Sequence, residues 1–179
     1  MLFRSDMYDI ILTEMQLKQV VERLASEVAA DLGGKPLIIT GVLKGCIHFT
    51  SDLSRALSNL GVEAEIDFID CASYSGTEST GDVKLLLGPS LDCKGKYVLL
   101  VDTILESGRT LKKAFEVYGG LGAEKIEACV LLDKKEKRKV DLQAKFVGMD
   151  AGNDFIIGYG LDYDQQYRNL PFVAKLIQE

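Results

Sequence analysis

Residues 97–120 read YVLLVDTILESGRTLKKAFEVYGG, and this stretch decides the fold. Its first five residues, Tyr97-Val98-Leu99-Leu100-Val101, are apolar, the pattern of a strand covered on both faces. A polar run from Asp102 to Gly108 follows. Leu111, Ala114, Phe115 and Tyr118 then fall at helical spacing, with Gly119-Gly120 as the stop. Strand, loop and helix in that order predict one unit of an α/β domain.

The start of a helix presents unpaired backbone N–H groups and the positive end of its dipole, so the turn from Ser107 to Thr110 is suited to a phosphate. Gly108 permits close backbone approach, and the hydroxyls of Ser107 and Thr110 add donors. Asp102 and Glu106 would repel an anion unless they face sugar hydroxyls, a metal-bound water or a proton to be removed. A phosphate, a diol and a base together suit a ribose phosphate. The plainer alternative makes Ser107 an N-cap and the two acids decoration at a strand end.

Working outward, Thr13-Glu14-Met15-Gln16 predicts a capping box, and Leu17, Val20, Val21, Leu24, Val28 and Leu32 form one face of a helix ended by Gly33-Gly34. Residues 36–42 predict a buried strand, broken by Leu43-Lys44-Gly45. Phe49, Leu53, Leu57 and Leu60 mark a second helix. Residues 62–68 alternate apolar and polar, as a strand at an edge or with one buried face does. Residues 72–81 form a polar, Gly-containing loop around Tyr74. Further strands are predicted at 83–87, 125–132, 146–148 and 155–159. Alternating strands and helices from 13 to 132 predict a mainly parallel sheet with its site at the carboxyl ends of the strands. The remaining residues, from about 133 to 179, are expected to cap that crevice together with the N-terminal segment, all within a single domain.

Composition narrows the function classes. At 179 residues and 47% hydrophobic side chains the chain can bury a full core. Four cysteines without a C-x-x-C pair and one histidine, His48, suggest neither a zinc site nor a disulfide framework, and a reducing cytoplasmic setting is expected. A net charge of −6 argues against general polyanion binding, so no nucleic-acid partner is expected. No apolar run approaches the roughly 20 residues that span a bilayer, so no membrane partner is expected either.

The stretch VLLVDTILESGRTL resembles the phosphoribosyl-pyrophosphate motif of the type I phosphoribosyltransferases, and motifs along the rest of the chain resemble their hypoxanthine-guanine branch. The resemblance implies a five-stranded parallel core with a small hood, and transfer of a phosphoribosyl group to a 6-oxopurine with Mg²⁺. It implies that Asp102, Thr103, Glu106, Ser107, Gly108, Arg109 and Thr110 bind the phosphoribosyl group, with Glu106 as general base. Leu43, Lys44 and Gly45 correspond to a pyrophosphate loop with a cis peptide at Leu43-Lys44, and Ser73-Tyr74 to a mobile pair over the pyrophosphate. Arg168 corresponds to a pyrophosphate-binding arginine. Lys134, Phe155 and Ile156 match residues around the purine, and Arg138 an arginine near it. Asp162 matches a magnesium-linked carboxylate beside the purine, with Asp102 a second metal candidate. Relatives are dimers or tetramers, so a homo-oligomer is expected.

Three positions depart from the family pattern. Glu106 stands where relatives carry Asp, and Asp102-Thr103 where they carry Glu-Asp. Restoring Asp at 103 is therefore expected to lower the Michaelis constant for the ribosyl donor. Two other readings stay open: an RNA-binding regulator on the same fold, and a phosphoribosyltransferase that prefers xanthine.

Overall fold

A computed structural model describes residues 8–73 and 83–177. The elements run β1 (Tyr8–Leu12), α1 (Glu14–Leu32), β2 (Leu37–Leu43), α2 (Ile47–Asn59), β3 (Ala64–Ser73), β4 (Val83–Leu87) and β5 (Tyr97–Leu105). After these come α3 (Arg109–Gly120), β6 (Lys125–Asp133), β7 (Phe146–Asp150), β8 (Ile156–Ile157) and β9 (Val173–Leu176). The main sheet has the order β4-β3-β2-β5-β6-β7. Five of these strands are parallel, and β4 is added antiparallel to β3 at one edge. The sheet therefore has six strands where five were expected, because the strand predicted at 83–87 joins it antiparallel to β3.

Helix α1 begins as its sequence predicts. The Thr13 hydroxyl accepts from the Gln16 amide at 3.3 Å, the Gln16 side chain accepts from the Thr13 amide at 2.9 Å, and Gly33 closes the helix with φ +61°. Its buried face, Leu17, Val21, Leu24, Ala25, Val28 and Leu32, packs in one core with Phe49, Leu53 and Leu57 of α2 and one face of β5. The other face of β5, through Val98 and Leu100, packs with Leu111, Ala114 and Tyr118 of α3. Strand β5 is thus covered on both sides, as its unbroken apolar run requires. Helix α3 includes Gly119 and Gly120 and is capped at Leu121, one step past the expected stop.

Two strands differ from their sequence patterns. In β3 the polar Asp67 is buried while Ile66 is about half exposed. The Asp67 carboxylate accepts from the amides of Phe68, Ser90 and Leu91 and from the Ser90 hydroxyl, which repays its desolvation. Strand β7 joins β6 in the main sheet, so the core extends to Asp150 and not only to 132. Gly148 permits this: a Cβ there would lie 2.3 Å from the Leu131 carbonyl oxygen. The hood is the small sheet β1-β9-β8, in which β9 pairs antiparallel with both neighbours.

Candidate active site

Because β2, β5 and β6 are parallel, the segments after them, 44–46, 106–108 and 134–139, emerge along one edge of the sheet. The turn between β5 and α3 is tied back by its carbonyls. The Lys134 amide donates to Leu105 O at 2.9 Å, Arg138 Nε to Glu106 O at 2.9 Å, and the Lys139 amide to Ser107 O at 3.0 Å. A planar trans peptide with its C=O bound on one side turns its N–H to the other, so the amides of this turn face away from the 134–139 segment. Gly108 takes φ +80°, and a Cβ there would meet Arg138 and Val140 side chains at 2.9 Å. The helix then starts at Arg109 with no side-chain cap, and its first amides and dipole are left for an anion. The Ser107 hydroxyl makes only a long 3.4 Å contact with the Arg109 amide, so it is not the N-cap of the plainer reading.

Arg138, matched to an arginine near the base, is a brace for this turn. Besides Glu106 O it donates to Leu142 O and to the Asp133 carboxylate. Lys134 looks in sequence like one charge of a solvated run, yet its side chain is only 3% exposed and its Nζ lies 2.6 Å from Glu106 Oε1. Glu106 is also 3.8 Å from Lys137 Nζ and keeps 44% of its side chain exposed. One acid therefore sits at the crevice with a buried ammonium beside it.

Asp102, at the last stretch of β5, opens only partly to the crevice. Burial pushes its carboxyl up to about 7, against the opposing pull of the Thr103 and Ile104 amides. Thr103, expected among the ribosyl contacts, is fully buried, and its hydroxyl donates to Gly45 O at 2.8 Å. That side chain is spent within the protein and does not face a sugar.

The peptide between Leu43 and Lys44 is cis. Lys44 is exposed at the tip of this loop, and Gly45 packs beneath the hood. There Arg168 Nη2 pairs with Asp162 Oδ1 at 2.8 Å and Nη1 donates to Gly160 O at 2.8 Å, while the Gln165 amide donates to Asp162 Oδ2 at 2.9 Å. Arg168 Nε is buried and has no partner among the described residues. The residues matched to metal and to pyrophosphate thus hold one another. Phe155 is 41% exposed and meets the edge of Tyr163 at 5.6 Å, while Ile156 is buried and pairs with Lys175. Ser73 ends β3, and Tyr74 lies outside the described residues. No group of three or more potential metal-ligating side chains occurs among the described residues, so any ion here relies on one or two carboxylates, such as Asp102 and Asp162, with water and ligand oxygens.

His48 stacks at 5.9 Å on Tyr159 and lines a groove of about 800 Å³ between α1 and α2, well separated in its lining from the crevice residues. Chemistry, and not volume, picks out the site. Sequence reading missed Gly160, whose role as a bare backbone contact against Gly45 has no signature beyond the glycine itself. No described helix is long and apolar enough to cross a membrane.

Residues 7–164 match the model of the phosphoribosyl transferase domain. The chain is 39% identical over 176 residues to a protein of Staphylococcus aureus named hypoxanthine-guanine phosphoribosyltransferase, covering 98% of this chain and 97% of the relative. A crystal structure of a hypoxanthine phosphoribosyltransferase from S. aureus superposes with a TM-score of 0.89 at 39% identity, covering 96% of this chain and 92% of that one. One from Bacillus anthracis, described as a hypoxanthine-guanine phosphoribosyltransferase with a HEPES molecule in the active site, gives 0.88 at 38% identity, covering 96% and 98%.

Proposed function

Since the chain belongs to the phosphoribosyltransferase family, we propose that it transfers the 5-phosphoribosyl group of phosphoribosyl pyrophosphate to hypoxanthine or guanine, giving IMP or GMP and pyrophosphate. The observation that carries the choice of base is the 2.6 Å pair of Lys134 Nζ and Glu106 Oε1. It sets a buried donor and an acceptor side by side. A 6-oxopurine protonated at N7 presents the complement on adjacent atoms, O6 accepting and N7–H donating. Adenine presents an amino group at position 6 and would leave the Lys134 ammonium unpaired, a loss that sites built on buried donors punish heavily.

In this reading the amides at the start of α3, with Ser107, Gly108, Arg109 and Thr110, hold the 5′-phosphate, and Asp102 takes ribose hydroxyls. The loop Leu43-Lys44-Gly45 and Arg168 receive the pyrophosphate, and Phe155 stacks on the purine above the backbone of Ile156. The purine N9 bonds to ribose C1′ as pyrophosphate leaves with the C1′–O electron pair, and Glu106 accepts the N7 proton. Lys134 can then share its donors between O6 and Glu106, which loosens its hold on the acid for that step. Mg²⁺, held by Asp162 and Asp102 with substrate oxygens, would neutralise charge on the departing pyrophosphate. A homodimer or homotetramer in a reducing cytoplasm accompanies this function, in keeping with four free cysteines of which three are buried.

The test is a purine panel of hypoxanthine, guanine, xanthine and adenine with phosphoribosyl pyrophosphate and Mg²⁺, read as nucleotide formed. Hypoxanthine and guanine are the expected substrates. Adenine turnover above hypoxanthine would overturn the part given to Lys134, and xanthine as best substrate would overturn the choice within 6-oxopurines.

A further inference from the structure

We propose that Thr103 is a positioning residue for the pyrophosphate loop, its hydroxyl fixing the Gly45 carbonyl so that this loop keeps its place beside the phosphate-binding turn. The proposal rests on the phosphoribosyl-transfer reading of the site.

Strands β2 and β5 are paired only as far as Gly41 and Val101, whereas β2 continues with β3 to Leu43 and Asp70. Past Gly41 the pyrophosphate loop has therefore lost its ladder to the strand that leads into the phosphate-binding turn. The Thr103 hydroxyl restores a link at that place, reaching across 58 residues of sequence to Gly45 O at 2.8 Å. Thr103 is 0% exposed, so water does not compete for its hydroxyl. The hood closes on the same oxygen from the other side: a Cβ on Gly160 would lie 1.9 Å from it, which leaves no room for a substitute donor. Gly160 in turn takes Arg168 Nη1 on its own carbonyl, and Arg168 holds Asp162. One hydroxyl thus joins the end of β5, the pyrophosphate loop and the part of the hood that carries the arginine.

The Gly45–Cys46 peptide is trans, so fixing its carbonyl also fixes the direction of the Cys46 amide at the start of α2. Losing the hydroxyl leaves the part-buried Gly45 carbonyl without its protein donor and lets that peptide turn. This placement reverses the expectation for an acid at 103. A carboxylate at this fully buried position would face the Gly45 oxygen, acceptor against acceptor, and donor binding should weaken.

The experiment compares the unaltered protein with Thr103→Val and Thr103→Ser, using calorimetric titration with magnesium pyrophosphate and initial rates with phosphoribosyl pyrophosphate and hypoxanthine. For Thr103→Val the pyrophosphate Kd and the donor KM are expected to rise about tenfold, the worth of one buried hydrogen bond, while kcat at saturating donor and the hypoxanthine KM move less than about twofold. Thr103→Ser should restore both affinities. Unchanged pyrophosphate affinity in Thr103→Val overturns the proposal. So does a Thr103→Val protein in which kcat, both KM values and the melting temperature deteriorate together, because a merely structural hydroxyl would give that result. Should the valine variant not fold, Thr103→Cys, of similar size with a weak S–H donor, is read against the same two outcomes. An unaltered protein that turns over no purine refutes the transfer reading separately, and the pyrophosphate titration still decides on Thr103.

Discussion

Replacing Asp102 by Asn should stabilise the fold, and by more at high pH than at low. Burial raises the Asp102 carboxyl from an ordinary 3.8 to about 7 in the folded protein. A carboxyl whose folded value lies above its unfolded one favours the native state when protonated. Its penalty is small below the unfolded value and grows as pH climbs from about 4 to about 7, because the unfolded chain releases the proton first. At about 1.4 kcal/mol per unit the shift amounts to roughly 4 kcal/mol, and the partial opening of Asp102 to the crevice trims this to about 2–3 kcal/mol. Asn keeps the shape and carries no charge at any pH. Urea unfolding of both proteins at about pH 5 and about pH 8, without Mg²⁺ or donor, gives the comparison, and other titrating groups cancel in the difference. The advantage of Asp102→Asn is expected to grow by roughly 1–2 kcal/mol between those two pH values. A difference that stays flat with pH, or a less stable Asn protein at the higher pH, would refute the burial argument. In activity the same substitution should raise the donor KM, so stability and function are expected to move in opposite directions at this position.

Glu106→Gln removes both the proton acceptor and the counter-charge 2.6 Å from Lys134, and kcat is expected to fall about 10²- to 10⁴-fold; a loss under about fivefold would remove Glu106 from the proton transfer. Gly160→Ala places a methyl 1.9 Å from the Gly45 oxygen at φ +99°, where backbone must shift, and should cost about 3 kcal/mol or more in urea unfolding together with donor affinity. A silent Gly160→Ala would mean that the hood and the loop are not in contact. Thr13→Ala breaks the capping box of α1 and should cost about 1 kcal/mol in the same assay, with kinetics unchanged because the Thr13 side chain bonds, among the described residues, only to Gln16.

The parts of this fold that could be read from sequence are those in which local chemistry and burial agree. Thr13 and Gln16 form the predicted box, and the face from Leu17 to Leu32 is buried as its spacing requires, except for the partly buried Val20. The run 97–101 lies between two helical layers, as a strand without alternation must. Where a polar side chain finds internal donors, periodicity misleads. Asp67 is buried through its bonds to Ser90 and Leu91, and Ile66 is displaced outward. At the site, one-dimensional motifs located Glu106, Lys134, Asp162 and Arg168, but not that they occupy each other as two ion pairs. Nor does sequence reveal which way Thr103 points, since alternation along β5 continues into a region where the next strand has already turned away.

The hood sheet has a consequence for biosynthesis. Its middle strand, β9, is the last described strand of the chain, and β1, the first, has no other sheet partner. The main sheet can assemble from neighbours in order as they emerge from the ribosome, whereas Tyr8 must wait for Leu176. In a nascent chain the turn before α3 and the Lys134–Glu106 pair can thus be in place before the hood sheet closes.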